Sequence, residues 1–153
     1  MGSACFELTG HVRRPGPVTA AMLGALPQQE VAVQHYRHDR PLPPRQHRGV
    51  HLFDVLRDAG LEGDAGPYPY VNLYLVAFGE DGAAVVFSVA ELDPAFGGRR
   101  VLVDGGDGEE PCRLVTADDR AGARSIRGLA RVDVRHSGAQ APLPPQARRV
   151  RPA

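Results

Sequence analysis

Residues 72–94 read NLYLVAFGEDGAAVVFSVAELDP, and this stretch decides the fold class. Two apolar runs, residues 72–78 and 83–88, flank the polar link Gly79-Glu80-Asp81-Gly82. An Asp-Gly pair in a short link between apolar runs is typical of a β-hairpin, so we expect two strands, both substantially buried. Residues 89–92 then predict one helical turn.

Strand patterns also dominate outside this hairpin. Leu52, Val55, Leu56 and Ala59 recur at helical spacing before Gly60, which predicts a helix over residues 52–60. Thr19 is the expected N-cap of a shorter helix over residues 20–26. Further strands are predicted over residues 6–12, 30–34, 100–103, 112–115 and 126–135, with a polar turn over residues 104–110. The prediction is an α+β fold, mixed and mainly β, with short helices.

Residues 35–48, HYRHDRPLPPRQHR, contain three Pro and three His without apolar periodicity, which predicts an irregular loop or an extended edge segment. His35 and His38 could share one side of a turn, and either one with Asp39 could act as a general base. A metal site would need a third ligand, for which His47, His51 and Asp39 are all possible and none is indicated by the spacing. The alternative is a solvated loop.

Charge and composition exclude several function classes. The chain has 153 residues, 42% of them hydrophobic, with 18 acidic and 18 basic residues. Such a balance produces no overall field toward nucleic acid or an anionic membrane. All the basic residues are Arg, which matches a coding bias. An Arg is therefore weak evidence of function by its identity, and its position must indicate whether it has a functional role.

The two cysteines, Cys5 and Cys112, form no zinc, redox, haem-attachment or iron-sulfur motif, and whether they pair is left open.

Residues 1–10 lack a leader pattern and no run is long enough to span a membrane, so we expect a cytoplasmic protein unless a leader was removed. We expect one domain over residues 1–136. Residues 137–153, rich in Pro and Arg, predict a flexible tail, with a docking arm as the alternative.

Four segments in order resemble the molybdopterin-binding domain of the sulfite-oxidase family. They are FELTGHVRRPGPVT (6–19), RGVHLFDVLRDAG (48–60), FGEDGAAVVFSVAELDP (78–94) and PCRLVTADDRAGARSIRGLARVDV (111–134). The resemblance covers roughly residues 6–135 and implies a sulfite-oxidase-type fold. In that family, loops hold a pterin dithiolene and its phosphate, and a Cys thiolate ligates molybdenum.

The resemblance implies a phosphate-binding role for residues 118–128, and there for Arg120, Arg124, Ser125 and Arg127. The alternative is an Arg-rich surface loop. The family's metal-binding Cys precedes the second segment, but no Cys lies between Phe6 and Pro111 in this chain.

Two functions follow from this resemblance and its missing Cys. The first is a molybdopterin-dependent oxidoreductase-like domain with altered or lost molybdenum chemistry, working with an external electron-transfer partner. The second is a cofactor-free small-molecule-binding protein, or a non-redox enzyme, that uses His35 or His38 in the same pocket.

Overall fold

The computed structural model of the protein describes residues 4–106 and 110–138, which form two larger β-sheets, a separate two-stranded hairpin and short helices. The strands within these ranges are β1 (Ala4–Gly10), β2 (Gly16–Thr19), β3 (Gln29–Val33), β4 (Tyr36–Arg37), β5 (Arg40–Pro41), β6 (Arg45–His51), β7 (Leu73–Gly79), β8 (Ala84–Ser88), β9 (Val101–Asp104), β10 (Arg113–Thr116) and β11 (Leu129–His136). The helices there are α1 (Ala20–Gly24), α2 (Leu52–Ala59), α3 (Val89–Leu92) and the 3-10 turn Gly122–Arg124. The α+β, mainly β prediction is confirmed.

The five-stranded sheet has the order β2-β1-β11-β7-β8, with β1 and β11 parallel and the other pairs antiparallel. The predicted hairpin is confirmed: Asp81 Oδ1 accepts from the Ala83 amide at 3.0 Å, and Gly82 has φ 89°. The expectation that both hairpin strands are buried is wrong for β8. Only Phe87 of β8 is buried, because β8 is the last strand of the sheet among the described residues.

The second sheet has the order β10-β9-β6-β3. Residues 35–48 follow the extended alternative and not the irregular loop, but β6 is an inner strand of this sheet and not an edge. Tyr36–Arg37 and Arg40–Pro41 form a small hairpin, and Arg45–His51 is a strand that pairs with both β3 and β9. The apolar pattern is absent because only Gly49 and Val50 of β6 are buried. Backbone pairing, which requires no apolar side chain, holds the strand in place.

Gly49 is required by the second sheet itself. A Cβ on Gly49 would lie 2.5 Å from the Val103 carbonyl oxygen on the neighbouring strand β9. Any other residue would therefore push the two strands apart.

The helices follow their predicted caps. Thr19 accepts from the Met22 amide at 3.2 Å, α2 ends at Gly60 with φ 85°, and Ser88 and Glu91 form a capping box at α3. The first helix ends at Gly24, before the predicted Leu26. None of the described helices is long and apolar enough to cross a membrane.

The main core unites the five-stranded sheet with α2, and a smaller cluster lies on the four-stranded sheet. That smaller cluster consists of Val31, Val33, Leu102, Val115 and Ala117. It underlies the end of β3, where the candidate site begins. The predicted turn over residues 104–110 and the predicted tail over residues 137–153 fall partly outside the described residues, so the domain boundary at residue 136 stays a prediction.

Candidate functional site

A cavity of about 410 Å³ opens where β3, β6 and β10 meet the segment 122–127. This volume lies within the range of small-molecule sites. The lining residues are Val33, His35, Arg37, Leu42, Pro43, Arg45, His47, Arg113, Leu114, Val115, Gly122, Ser125, Ile126 and Arg127. We refer to this space as the basic cavity.

The basic cavity is lined by four arginines and two histidines, with no carboxylate among its described lining residues. The ion pairs found in the described part of the chain involve none of these four arginines. Arg113 Nε is buried without a hydrogen-bond partner there. A chain with no net charge therefore carries a local positive field, which suits an anionic ligand.

His35 contributes a nitrogen with a defined protonation state. Its Nε2 lies 2.8 Å from the Thr116 carbonyl oxygen, and because a carbonyl only accepts, Nε2 carries the hydrogen. In the neutral ring, Nδ1 is therefore the unprotonated nitrogen. A Cβ on Gly122 would lie 2.9 Å from Nδ1. Because glycine has no side chain, there is room for this nitrogen beside the loop.

His47 also lines the basic cavity, from β6. Burial lowers the pKa of His47 below its ordinary value of 6.5, and the positive charges of Arg113 and Arg45 lower it further, against the opposing effect of Asp104. The neutral ring is thus favoured near neutral pH, and the arginines carry the positive charge of the cavity.

The structure separates the predicted catalytic set His35, His38 and Asp39. His38 and Asp39 are the two exposed residues that link β4 to β5, with φ 48° and 64°. Two positive φ values in a two-residue hairpin link define a type I′ turn. Of the three predicted residues, only His35 lines the basic cavity.

Arg120 and Arg124 lie outside the basic cavity and contact other side chains. The Arg120 guanidinium lies 4.0 Å from the centre of the Tyr36 ring and 3.4 Å from Asp39. Arg124 donates to Asp119 at 2.9 Å and to Glu91 at 3.0 Å, and it stacks on Phe87 at 4.3 Å. These contacts make both side chains structural links.

Ser125 and Arg127, the other two predicted phosphate ligands, do line the basic cavity. Ser125 Oγ accepts from the Thr116 amide at 3.1 Å and lies 2.8 Å from Thr116 Oγ1. The Tyr36 amide donates to the Arg120 carbonyl at 2.8 Å, which joins the two predicted functional segments. The segments 35–48 and 118–128 therefore share one site.

Sequence reasoning assigns no ligand role to Arg37, Arg45 or Arg113, although Arg37 and Arg45 lie in the predicted segment 35–48, and it offers His47 only as a possible metal ligand. Arg113 is the one that the pattern could have indicated, because a charged residue between Cys112 and Leu114 interrupts a buried strand. In the described residues, no group of three or more His, Cys, Asp or Glu side chains could hold a metal ion.

A second cavity, of about 510 Å³, lies beside α1 and β9 and contains both Arg48 and the acidic residues Asp104 and Glu110. None of the residues predicted to be functional lines it, and its mixed charge selects no ligand class.

The basic cavity fits the anionic part of a molybdopterin and does not fit its metal. A phosphate can be held by arginine side chains, whereas molybdenum in the sulfite-oxidase family is held by a soft thiolate. Neither cysteine lines the cavity: Cys112 is buried in the main core, and Cys5 packs against that core.

No family model matches the sequence, and no curated protein matches it. Among solved structures, the fold is similar to the crystal structure of the sulfane dehydrogenase SoxCD from Paracoccus pantotrophus, with a TM-score of 0.63 and 16% identity. The similarity covers 87% of this chain and 38% of that chain. At this identity the comparison establishes the fold alone, and it is consistent with the sulfite-oxidase-type fold.

Proposed function

We propose that this domain binds a small molecule with a phosphate or similar multiply charged anionic group in the basic cavity, on an oxidoreductase-type scaffold without cysteine-bound molybdenum. The observation that carries this proposal is the convergence of Arg37, Arg45, Arg113 and Arg127 without a carboxylate among the described lining residues.

The charge of Arg113 supports the same proposal. Arg113 lines the cavity and takes part in none of the ion pairs among the described residues, so its guanidinium charge can act on an anion in the cavity. Ser125 and Arg127, the two predicted phosphate ligands among the lining residues, support a phosphate in this cavity.

Calorimetric titration of the full chain with inorganic phosphate and pyrophosphate tests the proposal. Arg37→Gln should weaken binding about tenfold or more, the effect of losing about 1.4 kcal/mol or more from one charge-assisted hydrogen bond. Arg40→Gln is the matched control, because Arg40 pairs with Arg37 across the small hairpin but does not line the cavity. Equal effects of the two substitutions would place phosphate elsewhere and defeat the proposal.

The metal part of the proposal has its own test. Protein purified from a host that makes the molybdenum cofactor is assayed for molybdenum and for the fluorescent oxidation product of the pterin. We expect no stoichiometric molybdenum, and finding it would contradict the proposal. A pterin product without metal would identify the anion as a metal-free pterin phosphate, and any redox use would then need an external electron-transfer partner.

The second candidate is a non-redox enzyme in the same cavity, and the fixed ring of His35 favours it. When the ring donates through Nε2 to the Thr116 carbonyl, Nδ1 of His35 is the nitrogen that would take a proton from water or from a bound substrate. Chromogenic phosphate and carboxylate esters test for hydrolysis. His35→Gln keeps a donor for the Thr116 carbonyl but has no base, so activity that survives this substitution rules out the role.

A further inference from the structure

The two cysteines lie close to one end of β9, away from the basic cavity. Cys5 Sγ lies 3.7 Å from the position that a Cβ on Gly105 would take. Arg113 pairs with Asp104, so Cys112, which precedes Arg113 in the chain, lies beside Gly105, which follows Asp104. Gly105 is therefore the shared neighbour of positions 5 and 112.

A β-bulge changes the direction of the Cys5 side chain. Ala4 pairs with Thr19 and Phe6 with Val18, so Cys5 is an extra residue opposite β2. Such a bulge re-aims a side chain that strand alternation would otherwise point away from the core. Cys5 is accordingly half-buried against the core to which Cys112 belongs.

The two thiols differ in reactivity. Burial raises the pKa of the Cys112 thiol, and neighbouring Cys5 and Asp104 raise it further. Cys112 is only 4% exposed, whereas Cys5 is partly accessible beside Gly105. Cys5 is thus the thiol that an external reagent meets first.

We infer that Cys5 and Cys112 are a disulfide-forming modification site that a low-molecular-weight disulfide oxidises. The Cys5 thiolate attacks one sulfur of the reagent, forming a mixed disulfide and releasing one reagent thiol. Cys112 then loses its proton and attacks Cys5 Sγ, which releases the second reagent thiol. Two protein thiols are oxidised, and one reagent disulfide is reduced to two thiols.

The product would join the two sheets covalently. Cys5 is on β1 of the five-stranded sheet, and Cys112 directly precedes β10 of the four-stranded sheet. The bond would close a loop over residues 5–112, and cross-links across long loops restrict the unfolded chain strongly. We therefore expect the oxidised form to melt roughly 5–10 °C above the reduced form.

The test treats the folded full chain with oxidised glutathione and measures intact mass and disulfide-linked peptides. The expected product is a monomer lighter by two hydrogens, with a Cys5–Cys112 peptide, no retained glutathione and a higher melting temperature. Unreacted thiols, a glutathione adduct that persists on Cys5, a disulfide-linked dimer, or an oxidised form that melts below the reduced one would each overturn the inference.

Cys5→Ala separates the roles of the two thiols. In the folded variant Cys112 should remain unmodified because it is buried, and the oxidised and reduced samples should melt together. Glutathione on Cys112 in that variant would contradict the assigned order of attack. The experiment is independent of phosphate binding, so its failure would leave the proposed function intact.

Discussion

His35 owes its orientation to two backbone features, the Thr116 carbonyl and the absence of a side chain at Gly122. The first accepts from Nε2 at 2.8 Å, and the second leaves room for Nδ1. The orientation of the His35 ring thus depends on backbone groups and not on neighbouring side chains.

Gly122→Ala should therefore displace the His35 ring. The added Cβ would lie 2.9 Å from Nδ1, so we expect the free energy of unfolding to fall by roughly 1–3 kcal/mol. We also expect the NMR resonance of the His35 Nε2–H group to disappear. Chemical denaturation and nitrogen NMR measure the two effects. Gly24→Ala is the control, since nothing lies within 4 Å of a Cβ there. An unchanged His35 resonance in the Gly122 variant would refute the orientation.

His47 should make the folded protein sensitive to mild acid. Its pKa is below 6.5 in the folded state, so the unfolded chain binds more protons in the range between the folded and unfolded values. Stability then rises with pH through this range and is lost as the pH falls below about 6.5. His47→Gln should lose less stability than the wild type between about pH 7 and pH 5. His38→Gln, at the exposed hairpin link, controls for removal of an imidazole, and equal acid loss in both variants would contradict the prediction.

At the level of elements, Arg124 joins the 3-10 turn to β8 and α3. Its guanidinium donates to Asp119, Glu91 and the Val86 carbonyl, and it covers the Phe87 ring. One side chain therefore fixes the loop that forms a wall of the basic cavity.

Arg124→Ala should lower the free energy of unfolding by about 1–3 kcal/mol, because it leaves the half-buried Asp119 and Glu91 without this partner. Urea denaturation measures the loss. Arg57→Ala, which removes an exposed pair with Asp54 in α2, should cost no more than about 0.5 kcal/mol. Similar values for the two variants would show that the Arg124 network is not a structural link.

The link between β4 and β5 allows a test of whether Asp39 serves the geometry of the turn or the candidate site. Asp39 has φ 64° and its side chain is 94% exposed, so Asp39→Gly should relieve backbone strain and raise stability by up to about 1 kcal/mol. Phosphate binding should not change. A weaker phosphate affinity in calorimetry would instead give Asp39 a role in the site.

For the whole molecule, two ion pairs connect the segment before β9 to the segment after β10. Arg100 donates to Asp118 at 2.6 Å, and Arg99 donates to Asp119 at 2.8 Å. The hydrogen bond from Arg100 lowers the pKa of Asp118, and that from Arg124 lowers the pKa of Asp119.

These carboxylates should set the acid limit of stability. Their contribution is complete above the ordinary pKa of 3.8 and is lost as the pH falls through the lower folded values. Circular dichroism should therefore record unfolding below about pH 4, and Asp119→Asn should flatten this acid limb while lowering stability at neutral pH. An acid limb of unchanged slope in Asp119→Asn would contradict the assignment.

The structural similarity to a sulfane dehydrogenase covers 87% of this chain. It does not determine the chemistry, which depends on the side chains in the candidate site. The same scaffold here presents an arginine-lined cavity and keeps both cysteines in or against the core.

The sequence by itself determined the parts that depend on neighbours along the chain. Asp81-Gly82 specified the hairpin, Thr19 and Gly60 specified helix ends, and apolar spacing specified α2, because turns, caps and periodicity act over a few residues. The absence of a cysteine from the expected metal position was also visible there.

Only the tertiary structure decided which charged residues form the site. Arg45 and Arg113 are brought together by the pairing of β6 with β9 and of β9 with β10. The Leu114–Ile126 bridge adds Arg127, and the hydrogen bond from the Tyr36 amide to the Arg120 carbonyl holds the segment of Arg37 nearby. The same folding gave Arg124 protein partners and left the cavity arginines without ion pairs among the described residues. An arginine's role depends on what surrounds its guanidinium, and long-range strand pairing sets those surroundings.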